Sequence, residues 1–383
     1  MNEQGENFSQ MEDQQNPSGN DATKKRSAQT LSEDLTGADL AGADFTGADL
    51  SGRNLNGANL SGARLAGANL EDADLSEADL QDADLGKANL RGATLTGANL
   101  KNTDLRGASL EQTDLTEVDL APAKLAGVDF TEADLTGASL DNLDLTECVF
   151  ETAVLNQAFL LGAIISRANF VDAQLEKSNL SRADLSGANF HSAVLTETVL
   201  IEANLEEADF DDALIKKIIC AGANLKGARF ANADLTGCDL SHCNLAGADL
   251  TGTTADRCTF YASNLDDAEA SDASFEFSDF REVWLKGAKL PRASLVGTDL
   301  SGAVLNNTDL RESDLYWTSG KPEQFTGCRT DHVRWPERPA IVYGPKGVSP
   351  PRVDPKPMYP IPLTEAERRT RAEKRPQEEL SHG

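Results

Sequence analysis

Aromatic residues make up only 5% of this 383-residue chain, with three tryptophans, four tyrosines and four histidines. Stacking platforms, aromatic cages and His-rich metal sites are therefore thinly supplied. Long apolar runs are lacking as well. Mean hydropathy is -0.40 and no window approaches the roughly 20 apolar residues of a membrane-crossing helix. Residues 1–26 are polar up to Lys24-Lys25-Arg26 and contain no apolar h-region, so no Sec-type export signal is encoded there. The six cysteines, Cys148, Cys220, Cys238, Cys243, Cys258 and Cys328, form no CxxC and no pairing with histidines that suggests a zinc motif, which predicts a reduced, cytoplasmic chain. Basic residues are scarce: 35 Lys and Arg against 63 Asp and Glu give a net charge of -28. That balance opposes direct binding to nucleic acid or to an anionic membrane, and favours basic partners or proteins built to hold nucleic acid.

A five-residue period is present throughout. From Leu35 to Leu315 every fifth residue is Leu, Ile or Phe, except at Cys220, Ala255 and Ala270, with no insertion or deletion across 57 positions. A small residue stands two positions before most of these and glycine often stands two after, giving Ala-(Asp/Asn)-Leu-x-Gly. Five matches neither the 3.6-residue period of a helix nor the 2-residue period of a long strand. The spacing instead predicts a chain that turns a corner every five residues, with the large and small residues inward and the other three outward. Four sides close a square coil of 20 residues. Coils stacked at strand spacing place each Leu on the Leu 20 positions away, and stability comes from stacking many such coils.

Units such as Ala48-Asp49-Leu50-Ser51-Gly52 and Ala183-Asp184-Leu185-Ser186-Gly187 resemble the pentapeptide repeat family over residues 31–318. The resemblance implies an all-β fold, a right-handed quadrilateral parallel β-helix. Here it would have about 14 coils and a length of roughly 65–70 Å. Residues 1–30 read as a disordered arm. Residues 319–335, where Phe325 and Trp335 still fall on the period, read as a partial coil or cap. Residues 336–383 read as a Pro-rich tail with a short helix possible from Thr364 to Arg375.

Charge divides between these parts. Residues 1–30 carry -2 and residues 319–383 carry +3, leaving -29 on the rod. Its outward aspartates recur at the lattice spacing, and a denser acidic cluster is Glu202, Glu206, Glu207, Asp209, Asp211 and Asp212. Two readings are open: aspartate suits the outward slot for structural reasons, or the rod presents spaced negative charge resembling that of duplex DNA. In the slot before the central residue, Val149, Val154, Phe159 and Ile164 replace Asp or Asn on four successive sides. Val194, Val199, Leu214 and Ile219 do so again. Counting by 20, Val154, Val194 and Leu214 share one side, and Phe159, Val199 and Ile219 the next, joined by Leu161 and Ile201. This predicts an outward apolar patch that breaks the acidic surface and serves a protein partner or a second copy of the chain. Arg53 falls on an inward position and calls for a bulge or an acidic partner. Cys238 and Cys258, 20 apart, are expected to stack inside the rod.

No nucleophile with a base, no phosphate loop and no metal set is recognisable, and His191, His242 and His332 read as solvated. The sequence therefore predicts a non-enzymatic binding or scaffold rod, with no cofactor and no metal. Two alternatives stand beside it. Some members of the resembled family mimic DNA and bind DNA gyrase or topoisomerase IV, protecting cells from quinolone-type inhibitors. The second alternative is that this chain is a bacterial effector delivered by a specialised secretion system.

Overall fold

The structure, a computed structural model, describes residues 32–336. The predicted arm at 1–30 and the tail beyond residue 336 lie outside the described residues. Parallel bridges join residues 20 apart, from Asp34–Asn54 through to Asp314–Arg334. These span fifteen coils, or roughly 72 Å at strand spacing. Each bridge repeats one pattern: Leu35 N–H donates to Asn54 O (2.7 Å) and Asn54 N–H donates to Glu33 O (3.1 Å). A third bond, Gly37 N–H to Asn56 O (2.9 Å), ties the corners of successive coils together.

The corner itself is a four-residue turn. Ala38 N–H donates to Leu35 O (3.0 Å), with Thr36 and Gly37 at the tip, and Gly37 has φ +64°. Among the described residues every tip from 37 to 332 takes a positive φ, apart from Pro122 and Pro322. Thirty-five of these tips are not glycine. Glycine is therefore preferred rather than required, and the interlocked ladder holds ordinary side chains in a backbone region that costs about 1 kcal/mol or more each. The β-branched Thr152, at φ +56°, is the least suited of them.

The motif's Asp or Asn has a local role. The Asp34 carboxylate accepts from the Thr36 backbone N–H (3.0 Å) and hydroxyl (2.6 Å), and the pattern recurs at Asp44, Asp49, Asp129, Asp144 and Asp234. This is an Asx turn, in which a short polar side chain satisfies a corner amide that no coil can reach.

Central residues and the small residues two before them are buried along nearly the whole stack. Phe130, Phe150, Phe170, Phe190, Phe210 and Phe230 form a column of rings with centroids 4.8–5.1 Å apart and planes within 7°. Ala255 and Ala270, two of the three breaks in the core pattern, lie in coils where Phe260, Phe275 and Phe280 pack against one another at 4.7–5.8 Å. Large residues fill the space the alanines leave. Cys238 and Cys258 are buried, and so is a second thiol pair, Cys220 and Cys243, whose sulfurs lie 4.0 Å apart. Burial pushes the Cys148 thiol up to about 12.

The two ends differ. At the start Ala38, Ala43, Ala48 and Arg53 are only half-buried. Arg53 forms no bulge: its N–H donates to Leu50 O (3.2 Å), its carbonyl accepts from Asp74 N–H (3.0 Å), and its charge acts on Asp49. At the far end residues 319–335 continue the ladder through Asp299–Ser319, Asp309–Arg329 and Asp314–Arg334. Only the third side is replaced, by a short 3-10 turn, Pro322–Phe325. From that turn the Gln324 amide donates to the carbonyls of Leu300 (2.9 Å) and Ala303 (2.7 Å), and Phe325 packs edge-on against Trp335. No helix among the described residues is long and apolar enough to cross a membrane.

Two stability effects are expected. Phe190→Ala opens the middle of the ring column and should cost about 3–5 kcal/mol, read from denaturant unfolding. Thr152→Gly relieves an unfavourable φ and should stabilise by about 1 kcal/mol in the same assay; a loss of stability would show that the tip carries no strain.

Candidate interaction faces

Because the register never slips, residues 20 apart share a face. The first face follows Leu35, the second Leu40, the third Phe45 and the fourth Leu50. Val154, Val194 and Leu214 lie on the first face, and Phe159, Leu161, Val199, Ile201 and Ile219 on the second. The structure thus brings the apolar residues onto two adjoining sides, interleaved with Gln174 and Asn179. Phe159 is 41% exposed; the other seven are half-buried.

The acidic cluster does not share a face. Glu202 follows the second face, Glu206 and Glu207 the third, and Asp209, Asp211 and Asp212 lie on the fourth. Much of its charge is already answered one coil away. Glu202 pairs with Arg182 (2.8 Å), Glu206 with Lys226 (2.9 Å), and Asp209 with Arg229 (3.2 Å). Lys226 holds the Glu206 carboxyl below its ordinary value. Asp211 is buried, pairs with Arg229 and accepts from Ala231 N–H (2.8 Å).

That last bond belongs to a second way of capping corners. Where the usual Asx residue is replaced, a carboxylate or amide in the coil below caps the corner from beneath. Asp141 serves Leu161 N–H (2.8 Å) beside Phe159, Asp211 serves Ala231 beside Arg229, and Asp266 serves Lys286 (2.8 Å) beside Trp284. Apolar residues can therefore occupy the outward slot without orphaning a backbone amide. On the third face the side chains form a vertical ladder of their own: Asn264, Asn244, Asn224 and Asn204 each donate to the residue one coil below, ending on Asp184.

Acidic charge concentrates on the fourth face, opposite the second. Its outward slots hold 17 acidic and 6 basic residues, against 12 and 5 on the first face, 10 and 4 on the second and 10 and 7 on the third. Of the apolar replacements only Val149 and Val171 reach this face, so the expected break in the acidic surface is confined to one side chain per coil there.

Sequence reading missed a group at the far end. Phe277 (52% exposed), Trp284 (52%), Val304 (38%) and Trp317 (64%) stand outward in the last coils. The signal was available: Phe277 and Trp317 occupy tip slots two coils apart, and Trp284 and Val304 occupy the Asx slot one coil apart. His242 sits edge-on to Tyr261 at 5.4 Å. Among the described residues no group of three His, Cys, Asp or Glu side chains is placed to hold a metal ion.

The caps give stability a pH dependence of definite sign. Hydrogen bonds from Thr146 hold the Asp144 carboxyl below its ordinary value. At Asp234 burial acts the other way but is outweighed by bonds from Lys216 and Thr236. A carboxyl with a lowered folded value adds stability above its unfolded value, and loses it as pH falls through the folded one. Thermal unfolding should therefore show a steep loss only below the ordinary value of 3.8. Asp144→Asn, which keeps the accepting oxygen, should retain stability at pH 7 within about 1 kcal/mol and flatten the acid limb; an unchanged limb would remove Asp144 from the effect.

Eight copies of the pentapeptide repeats family model match the chain, at residues 34–72, 54–92, 73–112, 113–151, 144–182, 178–215, 218–254 and 278–316. Among solved structures, HetL from the cyanobacterium Nostoc sp. PCC 7120, a pentapeptide repeat protein involved in heterocyst differentiation regulation, is 22% identical. That match covers 68% of this chain and 90% of HetL, with a TM-score of 0.21. QnrB1, a plasmid-mediated fluoroquinolone resistance protein, is 22% identical over 53% of this chain and 90% of its own, with a TM-score of 0.27. A pentapeptide repeat protein from the Arabidopsis thaliana thylakoid lumen is 30% identical over 30% of this chain and 70% of its own, with a TM-score of 0.18. No curated protein matches. The square coil, its unbroken five-residue register and the repeated family matches together make this chain a member of the pentapeptide repeat family, with that family's right-handed quadrilateral β-helix.

Proposed function

We propose that the chain is a non-enzymatic, cytoplasmic protein-binding rod that offers two different surfaces. The observation that carries this reading is the shared register of eight apolar residues on the first and second faces, whereas the fourth face carries the largest acidic excess. Val154, Phe159, Leu161, Val194, Val199, Ile201, Leu214 and Ile219 would supply the contact with a protein partner, which includes a second copy of the chain. Such a surface is tested by a photo-crosslinking residue at position 199, with position 136 on a polar stretch as control. A protein adduct at 199 and none at 136 is expected. Equal labelling at both positions would remove the strip as a contact surface.

A second reading is favoured by the fourth face, whose acidic residues continue from Asp49 to Asp331. A narrow rod bearing spaced negative charge is suited to the basic groove of a DNA-binding enzyme such as gyrase or topoisomerase IV. Within the cluster Glu206, Asp209 and Asp211 are held by bases of this chain, so Glu132, Glu151, Asp172 and Asp212 on the fourth face are the better candidates for that contact. If the reading holds, the intact protein inhibits gyrase supercoiling, and changing those four residues to their amides weakens inhibition at least tenfold. Absence of inhibition at micromolar protein would end the gyrase reading.

A further inference from the structure

The far end of the rod carries an aromatic corner that neither surface above uses. Phe277 and Trp317 stand at turn tips of the first face, two coils apart, with Gly297 between them. The Phe277 ring lies over Gly297, where a Cβ would come within 2.6 Å of it. Tyr316 stacks on Trp317 with centroids 5.1 Å apart, and Val296 is the half-buried neighbour of Gly297. The Arg334 guanidinium lies 4.6 Å from the centre of the Tyr316 ring and is tied to Asp314 at 2.8 Å, which fixes that side of the corner.

Two dimensions define what fits. Coils rise by the spacing of the stacked rings, 4.8 Å, so the turn tips that carry Phe277 and Trp317 are separated by roughly 9.6 Å along the rod. A polyproline II strand advances about 9.3 Å in three residues, and proline rings pack well on exposed aromatic faces. Prolines three apart on such a strand, laid parallel to the rod, therefore meet Phe277 and Trp317 in turn. Charge supplies the second constraint. Glu276, in the same column as Val296 and Tyr316, accepts from the Ser294 hydroxyl (2.9 Å), and Asp299, on the other side of the corner, accepts from Ser301 N–H (3.0 Å) and the Ser319 hydroxyl (2.6 Å). These close donors are neutral, whereas the nearby Arg281 is engaged by Asp279 at 2.6 Å. Glu276 and Asp299 thus put carboxylates beside the rings, while Arg281 also acts on Asp299 and Arg257 stands at the tip one coil below Phe277.

We propose that the Phe277–Trp317 corner, with Val296, Tyr316, Glu276 and Asp299, is a docking site for a partner's extended proline-rich segment with prolines three apart and a basic residue beside them. The rings supply contact area, the two-coil spacing selects the proline interval, and the acids select the charge.

The test uses the full chain and a ten-residue peptide with two prolines three apart and one terminal arginine, followed by tryptophan fluorescence and calorimetry. Saturable one-to-one binding is expected. It should weaken at least tenfold in Trp317→Ala and in Phe277→Ala, and at least threefold with a peptide whose second proline is moved by one residue. Trp284→Ala, on the third face, should leave it unchanged, and matching circular dichroism melts establish that the variants fold. Equal binding of the shifted peptide, equal loss in Trp284→Ala, or no saturation would overturn the proposal. Peptide binding that tightens when Pro357 and Pro360, which are three apart, are changed to serine would also overturn it, assigning the corner to this chain's own proline-rich sequence. Binding replaced by concentration-dependent self-association would assign it to a second copy.

Discussion

The backbone hydrogen bonding between successive coils governs everything else in this molecule. Each coil is too narrow to fold alone: its four large side chains meet in the middle, but its backbone donors and acceptors point along the rod axis, toward other coils. Stacking satisfies them and covers the core in one step, which couples backbone pairing to hydrophobic burial. Once that coupling exists, departures become tolerable. Side chains as unsuited as Thr152 and Phe277 are held at positive φ because the tip amide is bonded to the next coil. Alanines at 255 and 270 are accommodated because neighbouring coils bring phenylalanines to the same space.

The corner chemistry explains the acidity of the chain better than any partner does on its own. A five-residue side leaves one corner amide without a backbone acceptor, and Asp or Asn at the preceding slot supplies one. Many carboxylates are therefore present because the turn needs an oxygen two residues away. Others, such as Asp211, cap the coil above and meet a base in it. What remains in excess on the fourth face, beyond this structural use, is the charge available to another molecule.

Much of this was legible in the sequence. The period, the inward Leu and the small residue two before it define the square coil, and counting by 20 places Val154, Val194 and Leu214 on one side and Phe159, Val199 and Ile219 on the next. The acidic cluster is less legible, because proximity along this chain is not proximity in space. Residues 202 to 212 wrap around three sides, and their partners Arg182, Lys226 and Arg229 lie one coil away. The aromatic corner was obscured for a related reason. Tyr316 and Trp317 stand just past Leu315, where the run of large residues ends, yet the ladder continues past them to Arg334 and places Trp317 over the column of Phe277. Arg53 was the reverse case: it breaks the inward pattern only because it stands at the open first coils, where its side chain is half-buried near Asp49.

The unbroken register also governs how such a gene can change. Duplicating or losing a block of 20 codons lengthens or shortens the rod by one coil and leaves every downstream residue on its original face. A block of five is different. It keeps the repeat intact, so the product still satisfies its core and backbone, yet it rotates all that follows by a quarter turn. The acidic residues beyond the insertion would then line up with a neighbouring side, and the aromatic corner would point at right angles to its former direction. Fold and surface pattern thus inherit separate units of length, and a small in-frame change can redirect what the rod presents while its interior is preserved.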